Sequence, residues 1–175
     1  PADFETFLTT VETFDPIPQQ AILWLILTGN RSGECTGLTW DSIDWRDGTY
    51  TLADPKNRHT ATLPIPSTLV TPLRQRRGEG RVFPVELRYH MKAISEAVGY
   101  HLCAHDLRRT HRGLCDATIS AVSAKRLQNR SLRTVDDDYV GDSADLHQEL
   151  AKVEREFYRR AGRPLANVQR LEAVG

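Results

Sequence analysis

The segment HDLRRTHR, residues 105–112, carries side chains that could bind a negatively charged group. His105 and Arg108 are three residues apart, so they would share one face of a helix, and Arg109 and Arg112 repeat that spacing. An arginine is always charged and can donate two parallel hydrogen bonds to a phosphate group. The segment is therefore a candidate phosphate site, and a structural helix cap with a salt bridge is the simpler alternative.

A tyrosine in an acidic stretch raises the question of nucleophilic chemistry. VDDDYVGDS, residues 135–143, places three aspartates directly before Tyr139. Neighbouring negative charge disfavours the phenolate, so the local sequence alone favours a surface tyrosine in an acidic turn. A nucleophilic role for Tyr139 would need activating groups from elsewhere in the chain.

Histidines and cysteines lie close together around the basic segment, so a metal site has to be considered. The residues concerned are His101, Cys103, His105, His111 and Cys115. No second pair of ligands has a recognised zinc spacing, and the arginines among them would repel a cation. The acidic stretch also fails as an EF-hand loop, because Val140 and His147 stand where oxygen ligands are needed. We therefore expect no metal.

Charge is distributed unevenly, although the net charge is zero. Residues 1–55 carry 2 basic and 9 acidic side chains, residues 56–133 carry 15 and 5, and residues 134–175 carry 6 and 9. The central segment thus has a net charge of +10, and 12 of its 15 basic residues are arginines. It could form one positive face that attracts a phosphate backbone, and a solvated arginine-rich surface is the alternative.

Length and composition fit one globular domain, with 175 residues of which 39% are hydrophobic and 26% charged. The longest apolar run, AILWLIL, is far short of the roughly 20 residues that cross a membrane. No signal peptide is expected, because the chain opens with a polar helix start. Three widely spaced cysteines indicate reduced thiols in a cytoplasmic protein.

The apolar pattern predicts a mainly α domain with a small antiparallel β-sheet. Helices are predicted at 4–14, 19–27, 32–40, 67–76, 86–98, 105–118, 121–128 and 145–161. The last of these carries an apolar stripe, which comprises Leu146, Leu150, Val153, Phe157 and Ala161. Residues 48–53 and 59–65 alternate and are rich in β-branched residues, and the polar DPKNR between them predicts a hairpin.

The segments TGNRSGECTGLTWDSID, residues 28–44, and HDLRRT, residues 105–110, together resemble motifs of a known family, the tyrosine recombinases or phage-type integrases. TGNRSGECTGLTWDSID is similar to their first arginine box and places its arginine at Arg31. HDLRRT is similar to their H-x-x-R box at His105 and Arg108. Lys56 stands in the hairpin turn eight residues before Pro64, where these enzymes keep a lysine.

A fourth stretch, KRLQNRSLRTVDDDYV, is similar to the closing box of the same family. Its register places the nucleophile at Tyr139, 31 residues after Arg108. Nine residues before Tyr139 stands Arg130, where the family usually has histidine or tryptophan. Arg130 could supply a third phosphate donor, or it could mark a slower or degenerate enzyme. His111 stands where an apolar aromatic is usual, and we interpret it as a core or interface residue.

The resemblance implies a specific chemistry. Tyr139 would attack a DNA phosphodiester and leave a 3′-phosphotyrosine and a free 5′-hydroxyl, with no need for ATP or metal. Arg31 and Arg108 would stabilise the extra negative charge of the transition state. Lys56 would protonate the leaving 5′-oxygen, and His105 would bind the phosphate or accept the tyrosine proton.

Each assignment has a simpler alternative. Arg31 could be an ordinary helix-start residue, Lys56 a solvated loop residue, Arg130 a surface arginine and Tyr139 a turn tyrosine. For the whole protein, the alternatives are DNA relaxation of the type IB topoisomerase kind and a catalytically degenerate DNA-binding domain.

The resemblance also implies the architecture and the partners. We expect the catalytic-domain fold of tyrosine recombinases in residues 1–175, with a core over about 3–161 and a tail at 162–175. Intact members add an N-terminal core-binding domain, which we expect to be absent here, and act on double-stranded DNA as homotetramers. The 145–161 helix or the tail is the expected contact with a neighbour. We expect weak DNA binding by this chain alone, no membrane partner, and a nucleoid-associated protein of prokaryotic or phage origin.

Overall fold

The computed structural model describes residues 3–54, 59–129 and 145–165. These residues form eight α-helices, a short 3₁₀ helix and a three-stranded antiparallel sheet, which confirms the predicted mainly α fold. The helices are α1 (Phe4–Glu12), α2 (Pro16–Thr28), α3 (Ser32–Gly37), α4 (Ser67–Gln75), α5 (Leu87–Val98), α6 (Ala104–Thr118), α7 (Ala121–Leu127) and α8 (Leu146–Arg160). The strands are β1 (Ile43–Asp44), β2 (Thr49–Asp54) and β3 (His59–Pro64), and the 3₁₀ helix is Trp40–Ser42.

Helix α2 lies at the centre of the molecule. Every residue from 20 to 28 is buried, and α2 contacts α1, α3, α5, α6 and α8. Pro16 stands in its first turn, where a missing N–H costs little, so the Pro16–Pro18 stretch opens α2. Gly29 follows the helix and ends it in the left-handed conformation, with φ at 65°.

The predicted hairpin is present and is attached to α2 through an aromatic contact. Strand β2 pairs with β3 in antiparallel register, with Tyr50 opposite Leu63, and β1 completes the sheet on the other side of β2. The rings of Tyr50 and Trp24 meet edge to face with their centroids 4.6 Å apart. This contact holds strand β2, and with it the hairpin, against α2.

The stretch SGECTGLTW, residues 32–40, differs from the single short helix predicted for it. Helix α3 ends at Gly37, and the 3₁₀ helix begins only at Trp40. Between them the backbone is extended because it pairs with a distant segment: Val82 N donates to Leu38 O at 2.8 Å, and Trp40 N donates to Gly80 O at 3.0 Å. These bonds join residues some 40 positions apart, so the local pattern could not predict them.

The apolar stripe of α8 faces the core of the same chain. Leu150, Val153 and Phe157 are buried, whereas Leu146 at the helix start is only partly covered. The Phe157 ring contacts those of Phe4 and Phe7 on α1, at centroid distances of 5.9 and 6.3 Å. The apolar face of α8 is therefore occupied within the chain, and contact with a neighbouring subunit stays a prediction.

A buried carboxylate joins α8 to the start of α4. Glu154 on α8 is 1% exposed. Its Oε2 accepts from the backbone N and the hydroxyl of Ser67 at 2.9 and 2.8 Å, and its Oε1 accepts from the same groups of Thr68 at 3.2 and 2.8 Å. The first backbone N–H groups of a helix have no partner within it, so Glu154 supplies the cap that α4 lacks.

The sequence predicts neither a membrane span nor a metal site, and both features concern here only the part of the chain that the structure describes. No helix there is long and apolar enough to cross a membrane. No group of three or more histidine, cysteine, aspartate or glutamate side chains comes together there in a way that could hold a metal ion.

Candidate functional site

Arg31 stands at the sharp bend between α2 and α3. Gly29 turns the chain, and Arg31 is the residue that precedes the first turn of α3. Glu34 holds it twice, because Oε2 accepts from the Arg31 backbone N at 2.7 Å and Oε1 accepts from Arg31 Nη1 at 2.6 Å. The Arg31 side chain is 59% exposed, so its guanidinium can reach a group in solution.

Arg108 has the opposite environment, since it lies in the second turn of α6 and is buried, with 5% of its surface exposed. Its Nη1 donates to Gly29 O at 2.5 Å, and its Nη2 donates to Gln128 O at 2.9 Å. One guanidinium thus joins α6 to the end of α2 and to the residue that follows α7. Two backbone carbonyls satisfy donors that burial would otherwise leave unpaired.

Glu34 brings the two arginines together. The same Oε2 that accepts from the Arg31 backbone lies 3.9 Å from Arg108 Nη1. Two guanidinium groups from sequence positions 77 residues apart therefore lie beside one carboxylate. Pairs of fixed guanidinium groups are suited to an anionic ligand such as a phosphate. The structure thus brings Arg31 and Arg108 beside one carboxylate, and their catalytic roles stay predictions.

His105 is exposed and lies in the first turn of α6, one turn before Arg108. The cap at this helix start is made by other residues: Asp106 Oδ2 accepts from Cys103 N at 3.0 Å. The imidazole of His105 therefore lies at the positive end of a 15-residue helix, on the surface, where a phosphate is favoured.

Three of the predicted site residues lie outside the described residues. They are Lys56, Arg130 and Tyr139. Lys56 belongs to the four residues that connect β2 to β3, and Arg130 comes two residues after Gln128, whose carbonyl binds Arg108. Asn129, directly before Arg130, has φ at 48°, a left-handed conformation that asparagine tolerates better than most residues. Their roles stay predictions.

Asn30 is a polar residue of the site that sequence reasoning missed. It is 1% exposed, and its Oδ1 accepts from Trp24 Nε1 at 2.8 Å and from the Tyr50 hydroxyl at 3.0 Å. Burial raises the pKa of the Tyr50 phenol, so this hydroxyl stays protonated and can donate. Asn30 thus links α2, β2 and the backbone next to Arg31. An amide between Gly29 and Arg31 was the only sequence signal.

Glu34 and Gln128 were also missed as site residues. Glu34 belongs to the first arginine box and Gln128 to the closing box. Their contacts are distant in sequence, however, because Glu34 lies near the Arg108 guanidinium and Gln128 donates to the Arg108 backbone. Such contacts depend on how α3, α6 and α7 pack. A glutamate three residues after an arginine signals only a local ion pair.

His111 lies in the core, which is one of the two places that the sequence predicts for it. It is fully buried, with Nδ1 3.2 Å from Ile26 O and Nε2 3.2 Å from Cys115 Sγ. Burial lowers its pKa to about 4, with a smaller contribution from the charges of Arg108 and Arg112. The ring is therefore neutral at pH 7. A carbonyl oxygen only accepts, so Nδ1 carries the proton and Nε2 accepts from the Cys115 thiol.

Comparison with known proteins identifies the family of this chain. Residues 1–135 match the sequence model of the phage integrase family. No curated protein sequence matches the chain. Among solved structures, the integrase from mycobacterium phage Brujita is similar over 87% of this chain, with a TM-score of 0.65 and 20% identity. The XerH site-specific recombinase, solved in a pre-cleavage complex with its difH substrate, is similar over 75%, with a TM-score of 0.58 and 14% identity.

The structural similarity extends over a larger share of this chain than of the two solved proteins. The similar regions span 57% of the Brujita integrase chain and 47% of the XerH chain. These identities are low, so the structural likeness concerns the fold, whereas the sequence match extends over the first arginine box, the H-x-x-R box and the start of the closing box. The chain belongs to the phage integrase family and has the fold of a tyrosine recombinase catalytic domain.

Proposed function

We propose that this chain is the catalytic part of a site-specific recombinase that cleaves and rejoins double-stranded DNA through a 3′-phosphotyrosine. The observation that carries the proposal is the arginine pair, Arg31 and Arg108, held beside Glu34 in a member of the phage integrase family. One arginine is buried and fixed by two carbonyls, and the other is exposed and reaches outward. Such donors would stabilise the extra negative charge of a phosphoryl transition state without reorganisation.

The proposed step balances without an added cofactor. The Tyr139 oxygen attacks phosphorus, the bond from phosphorus to the 5′-oxygen breaks, and the phosphodiester becomes a phosphotyrosine ester. The tyrosine proton passes to His105, which is exposed at the start of α6, and the leaving 5′-oxygen takes a proton from Lys56. Arg130 supplies a third donor to the phosphate. The reverse step rejoins the strand, because the ester conserves the energy of the broken bond.

A nicked suicide substrate tests the proposal. The full-length protein that contains this chain is incubated with DNA whose cleaved strand loses its short 5′-hydroxyl fragment, so that the covalent product accumulates. We expect a protein–DNA adduct on a denaturing gel, and we expect Tyr139→Phe to abolish it. Tyr89→Phe is the matched control, because Tyr89 is 67% exposed on α5 and has no proposed role.

Other outcomes would contradict the proposal. If the wild-type protein forms no adduct, the alternative of a catalytically degenerate DNA-binding domain is favoured, which the arginine at position 130 suggests. An adduct that persists in Tyr139→Phe would place the nucleophile elsewhere. Relaxation of supercoiled DNA without any exchange between two sites would favour the topoisomerase-like alternative.

A further inference from the structure

Gln128 makes a reciprocal contact with Arg108. It follows the last residue of α7 and is fully buried. Its backbone carbonyl accepts from Arg108 Nη2 at 2.9 Å, while its side-chain Nε2 donates to the Arg108 backbone carbonyl at 3.3 Å. Among the described residues its Oε1 has no hydrogen-bond partner. A leucine or methionine would fill the same space without an unsatisfied oxygen, so packing alone does not explain an amide here.

Gly29, which supplies the other carbonyl that binds Arg108, has close neighbours on the side where a Cβ would stand. Gly29 has a positive φ, and a Cβ there would lie 2.4 Å from Cδ2 of His111 and 3.2 Å from Nε2 of Gln128. The imidazole and the amide therefore pack beside the Gly29 Cα, and the carbonyl of the same residue accepts from Arg108 Nη1. A side chain at Gly29 would displace both of them.

His111 is itself anchored to the same helix end. Its Nδ1–H donates to Ile26 O, three residues before Gly29, and its Nε2 accepts from Cys115 one turn along α6. The ring therefore holds the last turn of α2 at a fixed distance from α6, which also carries Arg108. An apolar ring would fill the space but could not bind the Ile26 carbonyl.

We propose that Gln128 and His111 are positioning residues that hold the Gly29 and Gln128 carbonyls against Arg108 and thereby orient its guanidinium towards a DNA phosphate. The phosphate part of this proposal rests on the proposed function. The orientation part rests on the contacts of α2, α6 and α7 alone. Both residues act through Arg108 and touch no reacting atom.

Two variants that keep shape and remove hydrogen bonds test the proposal. Gln128→Met removes the bond to the Arg108 carbonyl, and His111→Phe removes the bond to Ile26 O. Gln20→Met is the matched control. Gln20 is a second buried glutamine whose Oε1 accepts from the Nε of another arginine, Arg76, at 2.5 Å.

The first readout is independent of DNA. Side-chain NMR of ¹⁵N-arginine reports rotation of the Arg108 guanidinium, with its signals assigned by their loss in Arg108→Lys. Wild-type protein should give separate Nη signals, because two carbonyls hinder rotation about the Nε–Cζ bond. In Gln128→Met and His111→Phe the signals should merge as rotation accelerates, and in Gln20→Met they should stay separate. Unchanged Arg108 signals in both site variants would overturn the proposal.

The second readout is single-turnover cleavage of the suicide substrate by the full-length protein. We expect each site variant to lower the cleavage rate by about tenfold with DNA affinity unchanged, because a misaligned donor acts on the transition state. Gln20→Met should cleave at the wild-type rate. Equal losses in all three variants, or a loss that follows DNA affinity, would indicate a merely structural role and overturn the proposal.

The two readouts separate this proposal from the proposed function. If wild-type protein forms no adduct but the Arg108 signals respond to both site variants, the proposed function fails and the positioning of Arg108 stands. If adduct forms and the Arg108 signals do not respond, the proposed function stands and the positioning role fails.

Discussion

Two arginines of the site share a chemical type and differ in environment. Arg108 is buried between two backbone carbonyls, whereas most of the Arg31 side chain is exposed and its partner is Glu34. A buried guanidinium with fixed partners is already oriented before a ligand arrives. An exposed one gains its orientation from a local ion pair, which contributes little to stability. The fold therefore depends on Arg108 far more than on Arg31.

Replacing each arginine with lysine measures this difference. An ammonium group cannot donate to the Gly29 and Gln128 carbonyls in the planar geometry of a guanidinium. We expect Arg108→Lys to lower the free energy of unfolding by about 2–4 kcal/mol, since it weakens buried hydrogen bonds of a charged group. Arg31→Lys should change it by less than about 0.5 kcal/mol. Both should lose most adduct formation.

Denaturant unfolding of the two variants beside wild type is the measurement. Equal losses of stability in Arg108→Lys and Arg31→Lys would contradict the expectation that the fold depends more on Arg108 than on Arg31. Full adduct formation by Arg31→Lys would contradict the proposed role of Arg31 as a bidentate phosphate donor.

At the scale of elements, α8 is held on the domain by one carboxylate as well as by its apolar stripe. Glu154 accepts four hydrogen bonds from the first two residues of α4. Residues 130–144, which include Tyr139, come between α7 and α8 in the sequence. The contact between Glu154 and the start of α4 therefore holds α8, which follows these residues in the sequence, on the domain.

Glu154→Gln tests this contact. One carboxylate oxygen is replaced by an NH₂ group, which faces N–H and O–H donors instead of accepting from them. We expect the free energy of unfolding to fall by about 2–4 kcal/mol, because buried donors at the start of α4 lose an acceptor. Glu96→Gln is the control, since the Glu96 side chain is 68% exposed in a 3.7 Å pair with Lys92. Thermal unfolding of both variants is the measurement, and similar midpoints would contradict the capping role.

At the scale of the whole molecule, the charge of the central segment is only partly a surface property. Arg108 is buried, and Arg76 lies half-buried over the rings of Trp40 and Phe83. Arg109 and Arg112 are paired with nearby aspartates on their own helix. The net charge of +10 already subtracts these two aspartates, but it still overstates the positive charge at the surface, because Arg108 is buried and Arg76 is half-buried. A single positive face stays a prediction, as does weak DNA binding by the chain alone.

Global stability should depend on pH through His111. Its pKa is about 4 in the folded protein, and an unfolded histidine has a pKa near 6.5, so the unfolded state binds the additional proton between these values. The stability that this difference contributes is complete above about pH 6.5 and is lost as pH falls towards 4. Between pH 7 and 4.5 we expect a loss of about 2 kcal/mol from this residue alone.

The comparison of wild type with His111→Phe isolates this contribution, because carboxylates titrate equally in both. The groups that face the ring are Arg108, Arg112 and Cys115. Wild-type protein should lose more stability than His111→Phe over this pH range, as measured by denaturant unfolding at each pH. Parallel pH profiles would show that His111 does not titrate as a buried neutral residue.

Much of the fold was predictable because its signals are local. The periodicity of α8 and the alternation in the hairpin each depend on neighbours a few residues apart. The break between α3 and the 3₁₀ helix was missed because Leu38 and Trp40 pair with residues 80–82. Leu146 was expected in the apolar stripe of α8, but it is the first residue of that helix and is only partly covered.

The sequence by itself determined the order and spacing of four motifs, and with them the family and the residue types of the candidate site. Only the tertiary structure decided which arginine is buried, that Glu34 lies beside both, and that His111 and Gln128 enclose Gly29. The physical reason is the separation of the partners: Arg108 binds a carbonyl 79 residues away and another 20 residues away. The motifs and their spacing show which residue types the chain carries and at which positions. The burial and orientation of those side chains arise only when α2, α6 and α7 pack together.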